Sequence, residues 1–441
     1  MPAPVSARTF PMKVRAVTVF AAIDPSHVSA SLRGAGAVAE TIRHALDRQG
    51  IAVQTVRIAL PPVDPLGIGT DGAARLADLA LALDAESEAH GFGFVSVGTI
   101  DAVGLPDGAW QPLVDAAPGV VGATTRVAIT ATVGTRTSSG AGTISLGACR
   151  MAGDVVAAIA RTGNDGFGNL RFAALANVGP HVPFFPAAFH DRDAGIAVGL
   201  ALECADVVEG AFTGAASLED ARARLVDGLS DAVDHVAAIS RAALAAHPDA
   251  RFTGVDFSPA PFPTAGASIG TAFEALGLPA FGGPGTTFVA SFLTECLHDV
   301  ARRTGLHGKT AAGSFRPSGF SGLMMPVLED ATLAVRAAEG HLSVERLLLA
   351  STVCGLGLDT VPLAGDTDGA TLGAVILDMA TLAVRLDKPL TARLFPVPGK
   401  RAGDRVSWDF PYFAPSVALQ VRGGPVTGVI ARATRHELHL A

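Results

Sequence analysis

The sequence predicts an α/β protein, because strand-like and helix-like segments alternate along most of its 441 residues. The stretch KVRAVTVFAAI at residues 13–23 is β-branched and apolar, as strands are. Apolar residues then recur at helical spacing from Val38 to Leu46, and the strand-like run IAVQTVRIAL follows at residues 51–60. A strand, a helix and a second strand in this order form a βαβ unit, which is typical of α/β layers.

The alternation continues into the last third of the chain. We predict further strands at residues 92–100, 124–133, 172–178, 251–259, 356–363 and 390–398. We predict helices at residues 76–83, 147–161, 194–209, 217–246, 268–277, 286–303 and 369–385, with another from residue 344.

No linker or repeat divides the sequence into obvious units. Residues 12–441 are therefore expected to form a single large α/β domain, with the N-terminal βαβ part, residues 12–135, as a candidate subdomain. Residues 1–11 contain one basic residue and lack the apolar core of a signal peptide, so we expect a disordered extension there.

Composition and charge argue against two classes of partner. The net charge is -8 and the Lys and Arg residues are scattered, so the basic patch of a nucleic-acid-binding protein is not expected. Long apolar runs are interrupted by acids, as at residues 194–216, so we predict no membrane span. The four Cys residues stand far apart without metal-ligand or disulfide spacing, which favours reduced thiols and a cytoplasmic location.

The stretch CGLGLDTVPLAGDT places two acids, Asp359 and Asp366, in an apolar strand and its exit turn. Burial of an unpaired carboxylate is costly, so such an acid is expected to be hydrogen-bonded, paired or at a cleft. Asp366 precedes a helix, which it either caps or joins to a site. Arg393 on the next predicted strand is suited to pair with an acid or to bind a substrate carboxylate, and Cys354 is the cysteine of this neighbourhood.

Polar residues after other strands are further candidates, because ligands of α/β proteins bind beyond the carboxyl ends of strands. His190 belongs to a stiff loop rich in Pro and Phe, residues 177–191, which either lines a pocket or packs with solvated histidines. Asp256 and Ser258 follow a strand and either bind a ligand or cap the turn.

The glycine-rich loop FGGPGTT, residues 281–287, leads directly into a predicted helix. Its exposed amides and the hydroxyls of Thr286 and Thr287 suit an anion at the helix N-terminus, or simple capping of the helix. The loop lacks the Lys of a P-loop and the spacing of a dinucleotide fingerprint, so it does not indicate a nucleotide.

The segment SFRPSGFSGLMMPVLED, residues 314–330, supplies Arg316 and two adjacent acids, Glu329 and Asp330. Paired carboxylates are able to divide the acid and base roles of a reaction when burial separates their pKa values. Acids that cap a helix would give the same sequence pattern.

Several of these stretches occur together, in order, in one known family. They are MKVRAVTVF, NVGPHVPFFPAAFHD, VDFSPAPFPTAG, GPGTT, GFSGLMMPVLED, CGLGLDTVPLAGDT and TARLFPVPGKRAGD. On these motifs, residues 12–421 resemble the DUF711 family, also called UPF0210. The resemblance implies a fold similar to pyruvate formate-lyase and other glycyl radical enzymes, a ten-stranded α/β barrel with helices outside and a finger loop inside. It also implies a homodimer, and it implies no particular reaction.

The C-terminal region departs from the glycyl radical enzymes. Their radical motif is Arg-Val-x-Gly followed by Tyr or Phe, whereas Arg422 is followed here by Gly423. The sequence also has no adjacent Cys pair. We therefore expect no glycyl radical.

Together, the strand-end acids, the anion-binding loop and Arg393 favour a non-radical lyase or isomerase that uses acid/base chemistry on a small carboxylated metabolite. The predicted catalytic residues are Asp366, Asp359, Glu329, Asp330 and Cys354. The predicted substrate-binding residues are His190, Asp256, Ser258, Thr286, Thr287, Arg316 and Arg393.

This interpretation requires that strand ends far apart in sequence, above all those bearing Thr286, Asp366 and Arg393, meet in one chamber. The alternative is a small-molecule binding or sensing protein that keeps an enzyme-like barrel without catalysis. A divalent cation, Mg²⁺ or Ca²⁺, is a further candidate ligand, although the acids lack a compact ligand spacing.

Overall fold

The computed structural model describes residues 13–63, 71–105, 109, 111–137, 140–163, 165–192, 195–309 and 315–438. The predicted extension at residues 1–11 lies outside these ranges. None of the described helices combines the length and the hydropathy needed to cross a membrane.

Fifteen strands lie within the described residues. Their bounds are β1 (Lys13–Phe20), β2 (Ala52–Ala59), β3 (Phe94–Asp101), β4 (Val127–Arg136), β5 (Gly142–Ser145), β6 (Phe172–Ala176), β7 (Ala197–Glu203), β8 (Arg251–Asp256), β9 (His307–Lys309), β10 (Phe315–Pro317), β11 (Gly357–Ala364), β12 (Leu390–Val397), β13 (Arg405–Val406), β14 (Ser416–Val417) and β15 (Arg435–Leu438).

Twelve α-helices lie within the same ranges. Their bounds are α1 (Val28–Asp47), α2 (Gly72–Ser87), α3 (Gln111–Ala123), α4 (Leu146–Thr162), α5 (Ala205–Phe212), α6 (Leu218–Leu244), α7 (Ile269–Ala275), α8 (Thr286–Thr304), α9 (Ala331–Ala338), α10 (Val344–Ser351), α11 (Gly369–Arg385) and α12 (Gly428–Arg432). Short 3₁₀ turns add Glu88–His90 and Phe167–Arg171.

Eleven strands form one mixed sheet, which confirms the predicted α/β class. The strand order is β11-β12-β6-β4-β3-β2-β1-β7-β8, and β5 pairs with both β4 and β15. The five central strands β6, β4, β3, β2 and β1 run parallel to one another. Each flank adds a parallel pair running the opposite way, β7 with β8 beside β1 and β12 with β11 beside β6.

The sheet is not closed, which corrects the ten-stranded barrel that the family resemblance implied. Its edge strands are β8 and β11, and the segment of residues 318–330 lies between them. The amide of Phe320 donates to the side chain of Asp256 at the end of β8, with an N–O distance of 2.6 Å. Further along, the amide of Val327 donates to the carbonyl of Asp359 in β11 at 3.1 Å.

The backbone of this bridging segment, residues 318–330, explains why it does not complete the barrel as a regular strand. Gly319 and Ser321 have positive φ angles of 60° and 35°, outside the β region. Pro326 has no amide hydrogen to donate to a ladder. The segment therefore makes a few hydrogen bonds to each edge and leaves room for side chains between them.

The two faces of the sheet are buried against different partners. In β1, Val17 and Val19 belong to the main core, which also contains the buried residues of α1 and the other helices. Ala16 faces the other way and packs with Phe184 and Phe320. This second face, the inner face of the sheet, is covered by residues 177–191 and by the bridging segment. Among the described residues, helices therefore cover one side of the sheet, and loops cover the other.

The predicted helix at residues 194–209 is wrong in its first half. Residues Ala197–Glu203 form β7, which is buried throughout and pairs with β1 and β8. Because a strand buried on both faces is apolar at nearly every position, it shows no alternation and resembles a buried helix in sequence. Gly199 fits this strand because a Cβ there would lie 2.9 Å from the hydroxyl of Thr253.

Two helix predictions are confirmed closely. Ser217 caps α6 through a hydrogen bond that its hydroxyl accepts from the amide of Asp220, at 3.2 Å. Helix α11 has the predicted bounds, 369–385. It crosses α4 at close range, since a Cβ on Gly153 would lie 2.9 Å from the Cα of Gly373.

Candidate active site

A cavity of about 120 Å³ lies at the inner face of the sheet. Its wall includes residues of seven strands together with the loop 177–191, the bridging segment and the aromatic residues Phe410 and Tyr412. Most of the wall is apolar. Its charged members are Arg15, Arg57, Arg171, Arg393, Glu329 and Asp359.

Irregular strand register orients two of these charged residues. In β1 the pairing with β7 shifts between Val14 and Ala16, so Arg15 is the extra residue of a β-bulge. In β11 the pairing with β12 shifts just beyond Leu358, next to Asp359. Bulges commonly change the direction of side chains beside functional sites. Here the two irregularities lie at Arg15 and next to Asp359, and both of these residues line the cavity.

Glu329 joins two of the arginines in a buried network. Its Oε2 accepts a hydrogen bond from Arg15 Nη2 at 2.6 Å, and its Oε1 accepts one from Arg393 Nη2 at 2.7 Å. Arg393 also donates from Nε to Oδ1 of Asp359 at 2.6 Å. Each of these four residues is less than a tenth exposed. Charge-assisted bonds of this kind compensate the cost of burying the charges.

The two carboxylates of this network are held unequally. Glu329 accepts hydrogen bonds from two guanidinium groups, whereas Asp359 accepts from one. Burial raises the pKa of Asp359, and the negative charge of Glu329 adds to that effect against the opposing charge of Arg393. Burial alone would lower the pKa of Arg393, but the two carboxylates outweigh it and raise that pKa above its usual value.

Arg57 has no carboxylate partner among the described residues. Its Nε donates to the hydroxyl of Thr55 at 2.8 Å, and no carboxylate of the described residues lies within 4 Å of its guanidinium. The guanidinium lies 5.6 Å from the ring centre of Phe94 and 5.4 Å from that of Phe185. Burial lowers the pKa of Arg57 to about 9, the positive charge of Arg15 contributes, and the negative charge of Glu329 opposes this shift without a hydrogen bond to Arg57.

Arg171 is bound by backbone and hydroxyl oxygens instead of carboxylates. Its Nη2 donates to the carbonyl of Val121 at 2.6 Å. Its Nη1 donates to the hydroxyl of Thr124 and the carbonyl of Val127, at 2.9 and 3.2 Å. These bonds fix the end of α3 to β4 and add a positive charge to the cavity wall.

The predicted site residues separate into two groups. Glu329, Asp359 and Arg393 line the cavity and contact one another. The expected grouping of Thr286 and Asp366 with Arg393 is corrected, since neither of the first two lies on the cavity wall.

Asp330 diverges from its neighbour Glu329 and anchors two helices. It caps α9 by accepting from the amides of Thr332 and Leu333, both at 3.0 Å. It also accepts from the hydroxyl of Ser268 and the amide of Ile269, both at 2.6 Å, at the start of α7. Burial raises the pKa of Asp330, against these hydrogen bonds. Of the two roles open for this acid, the capping role is the one observed.

Asp256 and Ser258 hold the bridging segment. The carboxylate of Asp256 accepts from the amide and hydroxyl of Ser258, at 3.0 and 2.6 Å. It also accepts from the amides of Phe320 and Ser321, at 2.6 and 2.9 Å. Burial raises the pKa of Asp256. These bonds place the turn after β8 against the bridging segment, and neither residue lies on the cavity wall.

At the two predicted helix N-terminal sites, the polar side chains either bond to nearby backbone or are exposed to solvent. The hydroxyl of Thr286 donates to the carbonyl of Gly283 at 2.8 Å, and Thr287 is half-buried. Asp366 is exposed in the turn after β11, and Asp368 caps α11 in its place. The capping role expected as one alternative for Asp366 therefore belongs to Asp368, two residues later.

The remaining three predicted residues lie away from the cavity wall. The Nδ1 of His190 lies 3.1 Å from the Nε2 of His181. Arg316 donates to the carbonyl of Asn177 at 2.9 Å, at the start of the loop 177–191. Cys354 is buried, and its sulfur accepts a bond from a backbone amide three residues later at 3.3 Å.

Arg15, Arg57, Arg171 and Tyr412 were missed. A signal was present for the first two, because each is an arginine inside a mostly apolar strand, in KVRAVTVF and IAVQTVRIAL. A charge at such a position is expected to be paired or to face a cavity. Arg171 and Tyr412 follow no comparable pattern.

A divalent cation does not fit this network. Among the described residues, no group of three or more His, Cys, Asp or Glu side chains is arranged to hold a metal ion. The oxygens of Glu329 and one oxygen of Asp359 already accept bonds from guanidinium groups. An added cation there would face two arginines at close range.

The fold and this arginine–carboxylate cavity define a mixed α/β protein with a buried polar centre. A sequence model for the family described as "Uncharacterised ACR (DUF711)" matches residues 8–409, and the chain belongs to that family. It is 32% identical over 364 residues to a UPF0210 protein of Pyrobaculum arsenaticum, covering 80% of this chain and 76% of that protein. It is 34% identical over 391 residues to a UPF0210 protein of Desulforudis audaxviator, covering 85% and 81%. With a UPF0210 protein of Lacticaseibacillus casei it shares 30% identity over 365 residues, covering 82% and 76%.

Proposed function

We propose that the protein is a lyase or isomerase that moves a proton on a small carboxylated metabolite bound in the cavity. One observation carries this proposal: the same cavity is lined by a buried carboxyl group, Asp359, and by a buried guanidinium, Arg57, that has no carboxylate partner among the described residues. A proton-transfer group and an anion-binding group in one apolar cleft are the minimum that such chemistry needs.

The charge of the wall supports an anionic ligand. Four arginines and two carboxylates line the cavity, so positive charges exceed negative ones by two when both acids are ionised. A cleft lined by excess positive charge concentrates anions. Arginine in particular suits a planar carboxylate, to which it is able to donate two parallel hydrogen bonds.

Asp359 is the candidate acid/base group. Its Oδ1 accepts from Arg393, and no other hydrogen bond of its side chain to a described residue is present, so Oδ2 is available to a ligand. Its raised pKa makes the carboxylate a stronger base than an exposed Asp. Glu329, with both oxygens engaged, is a positioning residue that fixes Arg15 and Arg393.

An isomerisation by one acid/base group balances without a co-reactant. The Asp359 carboxylate takes a proton from a C–H group next to a double bond or carbonyl group of the substrate, and the electron pair of that C–H bond shifts into the conjugated system. The protonated Asp359 then returns the proton to a different atom of the substrate. The electrons move as pairs in both steps, so the reaction needs neither a radical nor an external oxidant or reductant.

Solvent exchange tests the proposed function directly. The wild-type protein is incubated in D₂O with a set of small 2-oxo, 2-hydroxy and unsaturated carboxylates, and proton NMR follows loss of C–H signals and appearance of new products. We expect at least one compound to exchange or isomerise with wild type and none with Asp359→Asn. Saturable binding without exchange or product in wild type would contradict the proposal.

A non-catalytic binding or sensing protein is the second candidate. It is favoured by the bonds within the network, because both oxygens of Glu329 and the Nε and Nη2 atoms of Arg393 already bond to protein partners. Such a protein would show ligand-dependent thermal stabilisation and leave the ligand unchanged. The same NMR samples distinguish the two candidates.

From the family resemblance we also propose a homodimer, and from the widely separated cysteines a cytoplasmic location. Light scattering after size-exclusion chromatography tests the first part of this proposal. A mass near 44.6 kDa would show a monomer, and twice that value would support the dimer.

A further inference from the structure

We propose that Arg57 binds the carboxylate of the substrate, and that the substrate is a small, flat monocarboxylate with an aromatic or conjugated body. This inference rests on the proposed function for its location and goes further by naming the chemical class of the ligand. It is carried by the hydrogen bonds of the four cavity arginines and by the rings around Arg57.

Arg57 differs from the other arginines in its free donors. Arg393 donates to Asp359 and Glu329, and Arg171 donates to three oxygens of the protein. Arg15 donates to Glu329 and to the carbonyl of a proline, at 2.6 and 3.3 Å. Arg57 donates from Nε to a threonine hydroxyl, and no hydrogen bond joins its Nη1 or Nη2 to a described residue.

Burial makes these free donors significant. Arg57 is 8% exposed, so little of its side chain meets bulk water, although its Nη groups are not fully buried. A cation with so little hydration is stabilised by an anionic partner, and a ligand in the cavity is able to supply one. Because the two Nη groups form a planar fork, a planar carboxylate completes them with two parallel bonds. One free fork accommodates one carboxylate, which indicates a monocarboxylate.

The rings around the fork indicate the body of the ligand. Phe94 and Phe185 flank the guanidinium, and Phe184, Phe320 and Phe410 contribute to the same wall. Aromatic walls favour flat ligands that stack or meet them edge-on. The volume of about 120 Å³ is slightly below the roughly 150 Å³ of an engineered cavity that takes one benzene. The ligand is therefore expected to be about the size of a single ring or a short conjugated chain.

Calorimetric titration with benzoate as the probe tests this inference. Benzoate supplies a ring and a carboxylate, benzamide keeps the shape without the charge, and cyclohexanecarboxylate keeps the charge without the flat ring. Inorganic phosphate tests a different anion. We expect wild type to bind benzoate in a saturable way, cyclohexanecarboxylate more weakly, and benzamide and phosphate not measurably.

Two substitutions of Arg57 and one control locate the binding. Arg57→Met removes the charge, and Arg57→Lys keeps the charge but loses the fork; each is expected to weaken benzoate binding about tenfold or more. Arg241→Met is the matched control, because Arg241 also lies over a phenylalanine ring, Phe252, at 5.4 Å, and is exposed outside the cavity wall. It is expected to bind benzoate as wild type does. If Arg57→Met fails to fold, the Arg57→Lys titration decides.

The inference is overturned if wild type does not bind benzoate, if both Arg57 variants bind it as wild type does, or if phosphate or benzamide binds as tightly. Its failure is separable from failure of the proposed function. Asp359→Asn is expected to keep benzoate binding while it abolishes solvent exchange. Arg57-dependent binding in a protein that turns over no carboxylate would leave the ligand class standing and reject the enzyme.

Discussion

The Nε atom of Arg393 donates a 2.6 Å hydrogen bond to Oδ1 of Asp359, between two neighbouring parallel strands at the edge of the sheet. The other arm of the same guanidinium reaches Glu329, so one cation holds two acids within a buried space. This arrangement fixes Asp359 on the cavity wall with one oxygen available. The first two predictions follow from it.

Arg393→Met is expected to destabilise the fold by about 3–5 kcal/mol, because it leaves two buried carboxylates without their shared cation. Urea unfolding followed by circular dichroism measures the change. Arg241→Met, which removes an exposed arginine, is expected to change the free energy of unfolding by less than about 0.5 kcal/mol. Equal stability of the Arg393 variant and wild type would show that the network contributes little.

Asp359→Asn is expected to lower turnover of any exchanged carboxylate by about 10²–10⁴-fold, because it removes the proton-transfer group. Asp366→Asn is the control, since Asp366 is exposed in a turn and lies off the cavity wall. The exchange rate in D₂O is the measurement for both. An effect of the Asp366 substitution as large as that of the Asp359 substitution would reject the assignment.

His181 is expected to make the protein less stable in acid. Burial lowers its pKa from 6.5 to about 4, and the neighbouring charges of Arg251 and His190 add to the effect. The unfolded chain therefore binds a proton below pH 6.5 that the folded protein binds only near pH 4. The resulting stabilisation is complete above pH 6.5 and is lost as the pH falls towards 4.

Thermal unfolding of wild type and His181→Asn between pH 7.5 and 4.5 isolates this contribution. Asparagine suits the position because His181 has a positive φ of 65°. Wild type should lose more stability than the variant over this interval. Parallel curves for the two proteins would count against His181 as the cause.

Gly319→Ala is expected to weaken the bridging segment. Gly319 has a φ of 60°, and an added Cβ would lie 2.8 Å from the Cβ of Asp256, which holds this segment. Strain and displacement of the carboxylate should lower the free energy of unfolding by about 1–3 kcal/mol. Gly340→Ala is a matched control that measures only the cost of a positive φ. Gly340 has a φ of 82°, and no atom of the described residues lies within 4 Å of its Cβ position. Equal losses in the two variants would indicate that contact with Asp256 does not matter.

The parts of the fold that depend on local pattern were predictable from the sequence. The cap at Ser217 and the stripe of α11 follow from spacing within a few residues. Strand β7 was not predictable in the same way, because burial on both faces removes the alternation that separates strand from helix.

The contacts at the site show the same difference between local and long-range features of the sequence. Pairing with an acid was one of the two roles expected of Arg393, and the neighbouring parallel strands β11 and β12 bring it to Asp359. The contact of Arg15 with Glu329 joins residues 314 positions apart and depends on a sheet that curls around the bridging segment. The limit of prediction from the sequence is clearest at two adjacent acids, because Glu329 reaches the cavity whereas Asp330 caps a helix.

A crystal structure of the protein soaked with benzoate tests the central claim most directly. The account predicts ligand density in the cavity, with the carboxylate oxygens about 2.7–2.9 Å from Nη1 and Nη2 of Arg57. Benzoate bound only elsewhere, for example at the start of α8 beside Thr286, would contradict it.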